Sequence, residues 1–182
     1  MLLLWSLPLG IAIGYLRGGR LSHLAKFELR GAWLILIALI IQLLIFPLGS
    51  GQQPLIPFST EYFHLASYAL LVVFVVLNWR QWGILAMGVG MLLNLLVITV
   101  NGGYMPTRPE LLEAAGRSEA AAKLRELGVY ANNMLLEPDT PLWFWGDVFY
   151  VPAGVPLANI FSVGDLLLAL GLIFFLQAKM KS

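Results

Sequence analysis

Nineteen consecutive residues, Trp82–Val100, carry no charged side chain, and no other feature constrains the fold as much. A helix rises about 1.5 Å per residue, so this stretch covers roughly 28 Å, close to the roughly 30 Å hydrocarbon core of a bilayer. Ala32–Leu48, Tyr62–Trp79 and Ile160–Ala178 approach the same length and are also almost wholly apolar. A fifth stretch, Leu2–Leu16, is shorter and carries Pro8, Gly10 and Gly14. It would cover roughly 22 Å as a helix, and snorkelling of Arg17 and Arg20 or local bilayer thinning makes up the difference. A re-entrant segment is the alternative. Composition agrees: 59% of residues are hydrophobic and 12% charged, and the mean hydropathy is +0.82. Soluble domains are about half apolar and about a quarter charged. The fold expected is therefore an all-α integral membrane protein with about five transmembrane helices, forming one polytopic domain over residues 1–182.

Charge orients the spans, because Lys and Arg in short loops favour the cytoplasm. The first apolar stretch is followed, not preceded, by basic residues, unlike a cleaved secretory signal. Arg17, Arg20, Lys26 and Arg30 face a single acid, Glu28, in the loop that follows it. The next loop, "GSGQQPLIPFSTE", has no Lys or Arg; Arg80 lies in the turn before Trp82, and Lys179 and Lys181 end the chain. An N-terminus outside and a C-terminus in the cytoplasm satisfies all of these.

Residues 101–159 are then external, and they are too many for a plain connector. Thr107 and Glu110 have capping-box spacing, Pro109 sits where a missing N–H costs little, and Gly128 supplies a stop. One external amphipathic helix is predicted between them, with Leu111, Ala115 and Ala122 on its apolar stripe, lying on the outer membrane face or against the span ends. The remainder, with Trp143, Phe144, Trp145, Phe149 and Tyr150 among prolines, reads as an irregular aromatic-rich interfacial segment.

Net charge is +1 and the pI about 8.0, so nucleic acid is not an expected partner. With no cysteine, disulfides and thiolate chemistry are excluded. His23 and His64 lie far apart, so no metal or cofactor is expected. The polar residues of interest converge on the outer face: His64, Asn101, Asp147 and Asp165, with Asn94 seven residues before Asn101 on the same helix face. Intramembrane ionisable groups are functional candidates by default, so Asp165, with Asp147 and His64 converging at the same level, makes up the candidate catalytic set. Asn94, Asn101, Gly102 and Gly103 are the candidate binding residues, the glycines because they allow close backbone approach to an anionic headgroup. Structural roles compete for each of them. Ser162 and Asp165 have capping-box spacing, Asp147 follows Gly146 in a turn-rich context, and membrane asparagines often bond between helices. Ser162-Val163-Gly164-Asp165 also resembles the G-x-G-D pattern of intramembrane aspartyl proteases and prepilin peptidases, but lacks the first glycine.

"RGGRLSHLAKFELRGAWL", then Gln42, "NGGYMP", Gly146-Asp147 and "FSVGDLLLALG" together resemble a family of small bacterial integral membrane proteins known as a domain of unknown function, family 5317. The resemblance implies a polytopic bacterial inner-membrane protein and lends no catalytic residue. Three functional classes follow. The first is a non-enzymatic accessory, assembly or sensory membrane subunit, whose partners are the lipid bilayer and another membrane protein. The second is a lipid-handling or hydrolytic enzyme built on the outer-face Asp/His/Asn cluster. The third is a small-molecule transporter, for which Gln42 and Asn94 are a thin set of midplane polar groups.

Overall fold

The computed structural model describes residues 2–24, 28–46, 54–56 and 58–181. Lys26, the last residues of the predicted span Ala32–Leu48 and residues 49–53 and 57 of the loop predicted after it lie outside the described residues. The apolar segments form α1 (Leu2–Leu16), α3 (Ala32–Ile45), α4 (Thr60–Leu77), α5 (Trp82–Val100) and α8 (Val163–Met180), with a single turn, α2 (Leu21–Leu24), after α1. They pack in the order α1, α8, α5, α4, α3, so the last helix in sequence sits between the first and the fifth.

The expectation of an all-α bundle of about five spans is overturned. Among the described residues, α4, α5 and α8 are long and apolar enough to cross a membrane, whereas α1 and α3 are shorter apolar helices of 15 and 14 residues. Helix α3 stops at Ile45 because Phe46 is extended, at φ −118° and ψ 144°. It precedes Pro47, whose ring disfavours helical backbone one residue earlier. Helix α8 starts only at Val163, because Ile160–Phe161 forms a strand instead.

A glycine seam sets the distance between α5 and α8. Gly83 and Gly90 on α5, and Gly164 and Gly171 on α8, are each seven residues apart, so each pair lies on one helix face. A Cβ on Gly83 would sit 2.5 Å from the Cβ of Phe175; one on Gly171 would sit 2.6 Å from the backbone nitrogen of Met87. At the other end, Gly90 and Gly164 face each other's carbonyls. Ascending α5 therefore meets descending α8, with the backbones in direct contact. Lipid tails are as apolar as leucine, so membrane helices associate through such close packing rather than through exclusion of water. On the far side of α8, Gly10 of α1 packs on Ile173 and Leu176, and its carbonyl accepts from Gln177 Nε2 at 2.7 Å.

The segment predicted to be one helix and irregular chain is a small α/β cap. Pro106 and Pro109 hold Met105 and Arg108 extended, and Met105–Thr107 forms β1. Strand β1 pairs in parallel with β3 (Asn133–Leu135), which pairs antiparallel with β2 (Val129–Tyr130). Ala131, at φ 54°, makes the tight turn between β2 and β3. The predicted external helix is two: α6 (Pro109–Ala114) and α7 (Ser118–Leu127), separated at Gly116, which has φ 75°. Thr107 caps neither helix, since its hydroxyl is turned onto Asp147. The break lets Leu112 of α6 and Ala120, Ala121 and Leu124 of α7 close on one core with Ile160. Ala122 of the predicted stripe is exposed. Gly128 does end α7, in the left-handed conformation at φ 73°, with its N–H on the Leu124 carbonyl. Strands β4 (Phe149–Tyr150) and β5 (Ile160–Phe161) pair beside the cap and lead into α8.

Candidate functional site

The candidate residues gather where the cap meets the ends of α4, α5 and α8. At the end of α5, "NGGYMP" is a helix stop followed by a strand. Asn101 is the C-cap and Gly102 turns left-handed at φ 65°; the Gly103 N–H then reaches back to the Ile98 carbonyl at 2.8 Å. This six-to-one bond is the Schellman closure, and it uses the amide a bound anion would have needed. Gly103 also has φ 98°, and a Cβ there would sit 2.6 Å from the Cβ of Glu61 on α4. The Gly103 carbonyl pairs with His64 Nδ1 at 3.2 Å. Asn101 donates through Nδ2 to the Val97 carbonyl (2.8 Å) and to the Pro141 carbonyl (3.0 Å), tying the cap to the span.

Asn94 lies two turns deeper and is 4% exposed. Its Nδ2 donates to Asp165 Oδ1 at 3.0 Å, and its Oδ1 accepts from the Ser162 hydroxyl at 2.8 Å. Ser162 Oγ in turn accepts from the Asp165 N–H, and Asp165 Oδ2 accepts from the Ser162 N–H. The predicted capping box is therefore present, and Asn94 closes it from the neighbouring helix.

Asp147 is 7% exposed and sits at the edge of the cap sheet, bridged in parallel to Thr107. Its N–H donates to the Pro106 carbonyl (2.9 Å), its own carbonyl accepts from the Thr107 hydroxyl (2.7 Å), and Asn133 Nδ2 donates to its Oδ2 (3.1 Å). Burial, with the nearby Asp165 charge second, pushes the Asp147 carboxyl up to about 7, against a smaller opposing effect of the Asn133 hydrogen bond. Two carboxylates from different parts of the chain thus come within electrostatic reach of one another.

Tyr68 joins the pieces. It lies close enough to both Asp147 and Asp165 to feel their charge, its ring packs 5.3 Å from that of His64, and it abuts the buried Val97–Ile98–Met105 cluster. His64 itself is wedged between Tyr68 and Phe46, edge-on to the latter at 4.8 Å. Below it, the Ser67 hydroxyl bonds the His64 carbonyl and accepts from Gln42 of α3. The structure therefore brings Asn94 to Asp165, His64 to Gly103, and Asp147 to Asn133. Residues not singled out in the sequence are Tyr68 and Asn133, while Thr107, read there as a helix cap, bonds Asp147 instead. Asn133 follows another asparagine at the head of a short β-rich run, where a turn reading hides a buried side chain. Tyr68, one helical turn after His64, was legible as a neighbour of that histidine and nothing more.

None of these residues lines the cavity that opens beside Arg108 and Trp143 on the cap or the one beside Asn78 at the opposite end. Among the described residues no group of three or more His, Asp or Glu side chains is placed to hold a metal ion.

Two comparisons with known proteins yield matches. The profile of a family described as "Family of unknown function (DUF5317)" matches residues 26–177. A Thermotoga maritima protein bearing the name "Uncharacterized protein" is 25% identical over 162 residues, covering 88% of this chain and 82% of the relative. No solved structure matches.

Proposed function

Because the chain belongs to DUF5317, a family of unknown function, its role has to be argued from its own residues, and we propose a non-enzymatic accessory or assembly subunit of the bacterial cytoplasmic membrane. One observation carries this reading: the polar groups between cap and bundle are turned on each other. Among the described residues, no buried side-chain nitrogen or oxygen lacks a hydrogen-bond partner. Asn94, Ser162 and Asp165 saturate one another, Asn101 is spent on two carbonyls, and His64 on a third. A catalytic centre keeps reactive atoms open toward a substrate cavity. This arrangement instead fixes a folded cap on a membrane bundle, which suits a surface that presents itself to a partner. In this reading the cap faces the outside, while Arg17, Arg20, Lys179 and Lys181 lie at the cytoplasmic side.

One observation favours a second reading. A buried acid raised toward neutrality beside a second carboxylate is the setting of general acid–base chemistry, so a lipid-handling or hydrolytic activity through Asp147 and Asp165 is the alternative.

Complementation separates the two. Asp147→Asn and Asp165→Asn, expressed in a deletion strain at wild-type level and melting temperature, restore the wild-type phenotype if the role is non-enzymatic. Tagged protein in mild detergent then carries a second membrane protein at fixed stoichiometry. Loss of function in either folded variant, with the chain purifying alone, would establish the enzymatic reading instead.

A further inference from the structure

A cavity of about 400 Å³ opens on the cap, lined by Arg108, Leu136, Glu137, Pro138 and Trp143. Its floor is tied to the membrane helices. Arg108 follows β1, whose Thr107 carbonyl accepts the Leu136 N–H at 2.9 Å, and the Pro141 carbonyl two residues before Trp143 accepts from Asn101 at the end of α5. The cavity therefore lies beside the level at which the apolar run of α5 stops. Trp143, 42% exposed, lines it, and an indole settles at the headgroup layer of a bilayer.

The lining offers both signs of charge at once. Among the described residues Arg108 and Glu137 take part in no ion pair, and both are exposed. The Glu137 turn is held by its N–H on Thr140 Oγ1 (2.8 Å) and by the Thr140 N–H on its carbonyl (3.1 Å). The lining thus sets one carboxylate, Glu137, against one guanidinium, Arg108. A guanidinium presents a planar fork that suits a phosphate, and an ammonium is drawn both to a carboxylate and to an indole face. A few hundred Å³ is also the usual volume of a small-ligand site.

We propose that this cavity binds the headgroup of a zwitterionic, amine-bearing phospholipid of the phosphatidylethanolamine type. The phosphate lies on Arg108, the ammonium lies between the Glu137 carboxylate and the Trp143 ring, and the acyl chains run past Leu136 and Phe144 into the bilayer. An anionic glycerol-headed lipid fits the cavity less well, because it satisfies Arg108 but leaves the Glu137 carboxylate with no cation to meet.

The test uses the full chain in maltoside detergent, read by native mass spectrometry. Dihexanoyl phosphatidylethanolamine, dihexanoyl phosphatidylglycerol and soluble glycerophosphoethanolamine are titrated separately. The ethanolamine lipid should bind about tenfold more tightly than the glycerol lipid, a difference that one or two charge contacts can supply. Arg108→Ala should weaken it about tenfold. Glu137→Gln should abolish the preference between the two lipids, and neither variant should shift the melting temperature, since both side chains are exposed. Equal binding of the two lipids, or unchanged binding to Arg108→Ala, would overturn the site. Soluble headgroup bound as tightly as the lipid would overturn the assignment to the membrane.

Discussion

Replacing Gly171 by alanine probes the α5–α8 seam, and here helix propensity and packing predict opposite signs. Alanine is about 1 kcal/mol better than glycine inside a helix, so propensity alone makes the variant more stable. Packing says otherwise. The new Cβ would sit 2.6 Å from the Met87 nitrogen, 2.7 Å from its Cγ and 2.8 Å from the Gly83 carbonyl oxygen, where ordinary contact begins at 3.4 Å. Two of these three atoms are backbone and cannot turn aside. The helices must part by about 0.8 Å at this level, and a gap of that order forfeits a quarter to a half of each dispersion contact. Overpacking of this kind costs about 3 kcal/mol at the upper end of its usual range, which leaves a net loss of about 2 kcal/mol after the propensity gain. For a chain of this size that is a fall of roughly 4–8 °C in melting temperature, measured by intrinsic fluorescence in detergent micelles. Gly88→Ala is the matched comparison, because its Cβ would meet only side-chain atoms of Val75, the nearest at 2.7 Å. It should lose less melting temperature than Gly171→Ala, because a side chain can shift where the backbone of Met87 and Gly83 cannot. A Gly171→Ala protein as stable as wild type, or more so, would refute the seam.

Three further outcomes follow from the hydrogen-bond and charge geometry. Asn94→Leu strips Asp165 Oδ1 and the Ser162 hydroxyl of their partner and should cost about 1–3 kcal/mol, seen as an earlier thermal unfolding transition. Asn78 holds both the N–H (3.0 Å) and the carbonyl (2.8 Å) of Arg30, so Asn78→Ala should raise hydrogen exchange at the start of α3 while leaving that of the cap unchanged. Burial raises the Asp147 carboxyl from 3.8 to about 7, so across that window the folded chain keeps a proton that the unfolded chain has released. Stability from this group is complete at about pH 4 and is lost as pH rises to about 7, by about 4 kcal/mol at most, with Asp165 and Arg117 setting the local field. Melting curves of wild type and Asp147→Asn across that range read the difference, and the variant should lack this component of the slope.

Local signals in this sequence were strong where one contiguous stretch carries them. The run Trp82–Val100 could be read as a helix because hydrocarbon leaves backbone N–H and C=O groups no partner except within the helix itself. Gly128 as a stop and the Ser162–Asp165 box are likewise written within a few residues. The glycines of the seam were visible at their spacing of seven, but nothing local says which helix they face. The predicted single helix failed at Gly116, where propensity favoured continuation and the shared core of Leu112, Leu124 and Ile160 required a fold back. Thr107 failed in the same way, its hydroxyl being taken by a carbonyl forty residues away.

By itself, then, the sequence determined that this chain belongs in a bilayer, which of its stretches are helical there, and which end carries the positive charge. These follow from composition over one segment at a time, the scale at which desolvation of the backbone acts. Tertiary structure alone decided that α8 lies between α1 and α5, that Asn94 closes the Asp165 cap, and that Asp147 is buried against Asn133 within reach of a second carboxylate. Each of these joins residues far apart in the chain. A hydrogen bond or a raised pKa depends on the distance and burial that packing creates, and no short window of sequence contains them.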